Sequence, residues 1–228
     1  MRLRPITEKV PKPMVEINNR PFLEYQLELL AKNDIIEVVL LAGYLWEKIH
    51  EHFGDTYTTR SGAKLDLKYS VEPRFLGTGG AVKNAEKLID QYFFVVYGDS
   101  YIDLEYQAMA EMLLSSGKLG LISVYDNSEK IANNNVQVDQ TGLVQQYNKH
   151  QESPEMNGVE AGAMVFSKEI LELIPDVSKL KPQQKISLEM DVYPKLINQN
   201  QLLGYLTNIR FYDMGTFGRI KTISEVLK

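Results

Sequence analysis

The feature that most limits what this chain can fold into is an alternation of two apolar periodicities between Pro21 and Tyr97. Leu23, Leu27 and Leu30 recur at helical spacing, and Ile35 to Leu41 is a β-branched run ending in Ala42-Gly43. Leu45, Ile49 and Phe53 mark a second helical face, after which Leu65, Leu67, Tyr69 and Val71 alternate as in a half-buried strand. Gly77-Thr78-Gly79-Gly80 turns into the amphipathic run Ala81, Val82, Ala85 and Leu88, and Phe93 to Tyr97 is apolar enough for a central strand. Strand and helix in turn predict an α/β sheet with covering helices.

The second half changes character. A helix over Leu104 to Leu114 and a strand over Leu119 to Tyr125 continue the pattern, but Val136 to Val138 and Leu143 to Tyr147 flank a turn at Asp139-Gln-Thr-Gly142, which predicts a hairpin and a mixed sheet. Ala161 to Phe166 reads as a strand and Lys168 to Ile174 as a helix closed by Pro175. Ser187 is placed to cap a helix interrupted near Pro194, and Ile220, Ile223 and Leu227 share a face of the last helix. With 228 residues, 44% of them hydrophobic, and no repeat or low-complexity linker, the expectation is one domain over 1–228.

Composition excludes several classes of chemistry. The chain has no cysteine, so disulfides, thiolate nucleophiles and cysteine zinc sites are out, and a reducing compartment suits it. A net charge of -5 argues against sequence-independent nucleic-acid binding, which needs clustered Lys and Arg. No run approaches the roughly 18 apolar residues of a membrane span. Met1-Arg-Leu-Arg-Pro also lacks a signal-peptide block, so a cytoplasmic protein with no membrane partner is expected.

The residues that could carry chemistry sit at element ends. Tyr97-Gly98-Asp99-Ser100 follows an apolar strand, where ligands of open α/β sheets gather; a carboxylate there suits Mg²⁺, although Gly-Asp also serves as a plain turn or cap. Phe211-Tyr-Asp-Met-Gly215-Thr216 places Asp213 in a matching context, and two such carboxylates could grip one hard cation. Gly77 to Gly80 opens a helix with backbone N–H groups that could approach a ligand, or makes a tight turn. Arg2, Arg4, Lys9 and Lys12 lie among Pro5, Pro11 and Pro13, a stiff cationic segment able to aim Lys12 at a phosphate or simply to stay solvated. His50 and His52 are two apart on a helix and do not share a face, and His150 is solitary.

Taken in order, Arg2 to Met14, Glu72-Pro-Arg-Phe-Leu-Gly-Thr-Gly-Gly-Ala81, Gly98-Asp-Ser100, Glu160-Ala-Gly162, Ser187-Leu-Glu189 and Tyr212-Asp-Met-Gly-Thr216 resemble the sugar-1-phosphate nucleotidyltransferase family, nearest its short mannose- or heptose-1-phosphate guanylyltransferase-like members. The resemblance implies a Rossmann-like nucleotide-binding sheet of mixed strands, of the nucleotide-diphospho-sugar transferase type, with a nucleotide-binding half over about 1–115 and a sugar-binding half over about 116–228. It implies transfer of a nucleotidyl group from a nucleoside triphosphate, GTP favoured, to a hexose or heptose 1-phosphate with release of pyrophosphate. By the same resemblance Asp99 and Asp213 hold Mg²⁺, and Arg2 and Lys12 act catalytically on the triphosphate. Glu72, Leu76, Gly77, Thr78 and Gly80 contact the nucleotide, and Lys149, Glu160, Gly162 and Glu189 the sugar phosphate. Homo-oligomerisation is left open.

The chain departs from the family pattern in two places. A strand and a Gly-Gly-x-Gly-Thr loop are expected just ahead of Arg2, where only Met1 stands, so an internal methionine taken as the start and weak activity of this chain are expected. Glu160-Ala-Gly162 replaces the more usual Asn-Ala-Gly, which bears on sugar choice. A metal-dependent glycosyltransferase-like enzyme and a non-catalytic nucleotide-sugar sensor are the rival readings.

Overall fold

The computed structural model describes residues 6–227. In chain order come β1 (Glu16–Ile17), β2 (Arg20–Pro21), α1 (Phe22–Lys32), β3 (Glu37–Ala42), α2 (Trp46–Phe53), β4 (Thr56–Thr58), β5 (Lys64–Val71), α3 (Thr78–Asn84) and β6 (Tyr92–Val96). There follow β7 (Ser100–Tyr101), α4 (Tyr106–Ser116), β8 (Gly120–Tyr125), β9 (Val136–Val138), β10 (Val144–Tyr147), β11 (Val159–Ser167), α5 (Tyr193–Asn198), β12 (Leu202–Thr207), β13 (Tyr212–Asp213) and α6 (Phe217–Val226). These elements divide into two compact units. The first holds the chain up to Pro73 with Tyr97–Asp103 and the segment from Tyr212 on; the second holds Arg74–Val96 and Leu104–Phe211.

In the first unit, β1 and β2 form a hairpin whose turn needs positive φ at Asn18 and Asn19, a conformation asparagine tolerates. The larger sheet runs β3-β5-β4, with β3 parallel to β5 through α2 and β4 antiparallel. Leu23 and Leu27 of α1, Ile49 and Phe53 of α2, and Leu65 and Leu67 of β5 pack into one core, as helical and alternating spacing demand. The alternation in β5 stops at Tyr69: Ser70 is buried and Val71 exposed. A second cluster gathers Ile17, Phe22, Tyr25, Met214, Ile223 and Leu227, tying α6 to the hairpin and α1.

The second unit is built on a sheet of order β12-β8-β11-β6, in which β12 lies parallel to β8 and the other neighbours are antiparallel. Every residue of β8 is buried and nearly every one of β11, because both strands have sheet neighbours and packed faces. Phe93 to Tyr97, expected to be central, forms β6 with a partner on one side only among the described residues, and its side chains stay half-buried. The hairpin β9–β10 forms as expected, its turn closed by Asp139 Oδ1 accepting from the Thr141 and Leu143 amides. Lys168–Leu173 is a 3₁₀ rather than an α-helix, held between the Ser167 cap and Pro175.

One local departure shapes the site. Leu188–Val192 winds as a π-turn ahead of α5, with Ser187 Oγ accepting from the Met190 amide and the Tyr193 amide donating to Leu188 O. Pro194 has no N–H to return to Met190, so the α-helical ladder is broken there and the turn widens. Among the described residues no helix is long and apolar enough to cross a membrane.

Candidate active site

In the first unit the proline-rich entry brings Lys12 to Asp99. Pro11 is extended, Lys12–Met14 makes a single 3₁₀ turn closed by Met14 N–H on Pro11 O at 2.8 Å, and Lys12 Nζ forms an ion pair with Asp99 Oδ2. Asp99 itself is set by a tight turn in which the Ser100 amide donates to Tyr97 O at 3.0 Å. Gln26 of α1, a buried amide, spans that turn by donating to Tyr97 O at 2.9 Å and Ser100 O at 2.8 Å. An unmet amide there would cost about 1–3 kcal/mol, so the clamp is structurally necessary.

Asp213 is delivered to the same place by the ladder of β7 and β13. Asp213 stands opposite Ser100, and the Met214 amide donates to Asp99 O at 2.9 Å, so the backbones of the two aspartates are one ladder position apart. The Asp213 carboxylate accepts from the Gly215 amide on Oδ1 at 2.7 Å and from Arg219 Nη1 on Oδ2 at 2.7 Å. No cluster of three or more acidic or histidine residues able to hold a metal occurs among the described residues. A cation held here would therefore use these two carboxylates and draw its other oxygens from elsewhere, a donor set that suits Mg²⁺. Glu72 also belongs to this unit; its amide donates to Ala42 O at 2.8 Å beyond the β3–β5 ladder, and its carboxylate lies beside Gly43. Arg2 lies outside the described residues.

The second unit gathers the remaining candidates. Glu189 sits in the π-turn with its side chain only 3% exposed. Its Oε1 accepts from Lys149 Nζ at 2.8 Å, and its Oε2 from Ser187 Oγ at 2.7 Å and Thr78 Oγ1 at 2.9 Å. Burial by itself would raise its pKa, but Lys149, Ser187, its own backbone amide and Thr78 outweigh that and hold it at about 2. Glu160 lies where the β8–β11 register slips; Gly162 takes φ +89° there and donates its amide to Glu160 Oε1 at 2.8 Å. Tyr147, at the end of β10, packs edge-on against Tyr193, with ring centroids 5.2 Å apart. Its hydroxyl is pushed well above the ordinary tyrosine range by burial and then by the Glu160 and Glu189 charges.

The glycine cluster is used differently from the expectation of open N–H groups. The Gly79 and Gly80 amides donate to Ile186 O at 2.8 and 3.2 Å, so this carbonyl takes donors that were expected to face a ligand. Gly77 has φ +83°, and a Cβ there would come within 2.5 Å of Ile186 O. Leu76 is buried, and its carbonyl accepts from the Ile186 amide at 2.8 Å. The segment from Leu76 to Gly80 is thus zipped to the segment around Ile186 that leads into Ser187 and Glu189, and Thr78 joins the two. His50 and His52 go to separate partners, Asp55 and Glu24.

The profile of the nucleotidyl transferase family matches residues 1–227. The chain belongs to that family. It is 31% identical over 220 residues to mannose-1-phosphate guanyltransferase 2 of Candida glabrata, covering 94% of this chain and 58% of that protein. It is 28% identical over 215 residues to the D-glycero-alpha-D-manno-heptose 1-phosphate guanylyltransferase of Aneurinibacillus thermoaerophilus, covering 94% of this chain and 88% of that protein. The crystal structure of HddC from Yersinia pseudotuberculosis superposes with a TM-score of 0.78 at 26% identity, covering 96% of this chain and 91% of that one; HddC is also known complexed with GMP-PN. The chain spans 51–58% of the length of several curated relatives it matches. The family supplies the mixed sheets flanked by helices described above.

Proposed function

We propose that this member of the family is a sugar-1-phosphate guanylyltransferase, joining GTP and a hexose or heptose 1-phosphate to give a GDP-sugar and pyrophosphate. The observation that supports the reading is the β7–β13 ladder, in which the backbone of Asp213 lies one position from that of Asp99, the ion-pair partner of Lys12. Support for the guanine base comes from the relatives, whose names specify guanylyl transfer, and from the guanine nucleotide analogue in the HddC complex.

In the reaction a phosphate oxygen of the sugar 1-phosphate attacks the α-phosphorus of GTP; the new P–O bond forms as the bond to the β-phosphate breaks, and pyrophosphate leaves with its electron pair. The attacking oxygen is already ionised, so no general base is required and the work is alignment and charge neutralisation. Asp99 and Asp213 would hold Mg²⁺, which when bound supplies Lewis-acid polarisation of phosphate oxygens. Lys12 exchanges its carboxylate partner for triphosphate oxygens, with Arg2 assigned by the resemblance. In the second unit Lys149 meets the sugar phosphate, while Glu189 and Glu160 accept hydroxyl hydrogens of the sugar. Both phosphorylated substrates fit a cytoplasmic location.

The test is pyrophosphate release from GTP with mannose 1-phosphate or a heptose 1-phosphate, compared with UTP and dTTP. Asp99→Asn is expected to lower turnover at least about 100-fold, on the order of 3 kcal/mol, with an unchanged circular dichroism spectrum. Near-normal turnover of Asp99→Asn at limiting Mg²⁺, or pyrophosphate release independent of the sugar phosphate, would overturn the reading.

A further inference from the structure

The Asp213 carboxylate has its two oxygens committed differently. Oδ1 is fixed by the Gly215 amide at 2.7 Å within a tight turn, whereas Oδ2 is held at 2.7 Å by a side chain, Arg219 Nη1. Arg219 stands in the first turn of α6, whose N-terminus is closed by Thr216 Oγ1 accepting the Arg219 amide at 3.3 Å. Its backbone is therefore fixed while its guanidinium, 55% exposed, can leave Oδ2 for solvent without disturbing the helix. The Asp213 side chain is 23% exposed.

We propose that Arg219 is a built-in competitor for the divalent cation at Asp213, setting how much metal is needed to load the site. The inference rests on the metal assignment made above and adds a residue that the family motif through Thr216 does not contain. A cation that takes Asp213 through Oδ2 meets the atom that Arg219 holds, and one that takes both oxygens meets it as well, while Oδ1 already accepts the Gly215 amide. An exposed ion pair of this kind is weak, so the competition is a bias rather than a block. Nearby positive charge also repels an incoming cation, and salt screens that repulsion over a Debye length of about 10 Å at 0.1 M. Lys12 plays the matching part at Asp99, but its place on the triphosphate makes it unsuitable for a clean test.

The probe is Mn²⁺ alone, titrated into the full chain without nucleotide and followed by electron paramagnetic resonance of the free ion. Arg219→Gln is expected to bind Mn²⁺ about three- to tenfold more tightly than wild type at low ionic strength, with the gap narrowing in 0.5 M salt. Arg219→Lys, which keeps the charge but loses the planar fork, should stay near wild type and serves if the Gln variant does not fold. An unchanged or weaker Mn²⁺ affinity in Arg219→Gln, or in the Lys variant a gain as large as that expected for Gln, overturns the proposal. Asp213→Asn separates the two levels of the argument. Loss of Mn²⁺ binding in that variant upholds the metal assignment whatever Arg219 does, whereas wild-type binding in Asp213→Asn sinks both.

Discussion

Replacing Glu189 by Gln tests the buried carboxylate of the second unit most directly, because its charge is the quantity the structure perturbs. Its pKa falls from 4.5 to about 2, which corresponds to about 3 kcal/mol of folding stability. The sign follows from the depression: the contribution is complete above the unfolded value of 4.5 and is lost as pH falls toward about 2. At pH 3 about 2 kcal/mol of it should already be gone. Gln keeps acceptor capacity for Ser187 and Thr78 but titrates no proton, and the other carboxylates change equally in both proteins. The stability difference between wild type and Glu189→Gln should therefore shrink by about 2 kcal/mol between pH 6 and pH 3. Urea unfolding followed by far-UV circular dichroism reads it. A difference that stays constant across that range would show that Lys149, Ser187 and Thr78 do not hold the charge as argued.

Gly77→Ala should lower the melting temperature by several degrees, since φ +83° and a Cβ 2.5 Å from Ile186 O force strain of about 1–3 kcal/mol; unchanged melting would refute the zipped contact with Ile186. Glu160→Gln should raise KM for the sugar phosphate about tenfold, on the order of 1–3 kcal/mol for an unmet hydroxyl, and leave KM for GTP near its wild-type value. Equal losses for both substrates would assign Glu160 to the bulge at Gly162 instead.

What the sequence displays well is whatever recurs. Leu23 and Leu27 at helical spacing, Leu65 and Leu67 two apart, and the apolar residues Leu121, Ile122, Val124 and Tyr125 of β8 and Ala163 to Phe166 of β11 all appear in the core they predict. Asp139 to Gly142 announces its turn through the side chain that closes it. Where one tertiary contact decides the structure, the pattern is silent. Strands β7 and β13 are two residues each, too short for any period. Gln26 looks like the polar face of a helix, yet it is buried on two carbonyls around Asp99. Tyr147 passes for one more strand residue, and nothing in the pattern sets it apart. Motif order pointed to Asp99 and Glu189, but Lys12, Lys149 and Thr78, which hold them, come from elements distant in the chain.

The two groups of carboxylates follow opposite physical rules, and that difference bears on what each can bind. Glu189 is 3% exposed and its donors are supplied by the protein, so its geometry is fixed before any ligand arrives. A hydroxyl presented there must join or replace one of the donors Lys149, Ser187 and Thr78, so the pattern it meets is set in advance. Asp99 is 39% exposed and Asp213 23%, each held by a long cationic side chain. Pairs of that kind exchange at little cost, because exposed ion pairs contribute only about 0–1 kcal/mol. A site built from them suits ligands that come and go with their own charge, a cation and a polyphosphate, with Lys12 and Arg219 each able to trade a carboxylate for an anion. Under the proposed function, the fixed hydrogen-bond pattern around Glu189 suits telling one sugar from another, and the exchangeable ion pairs of Asp99 and Asp213 suit a cation and a polyphosphate that bind and leave.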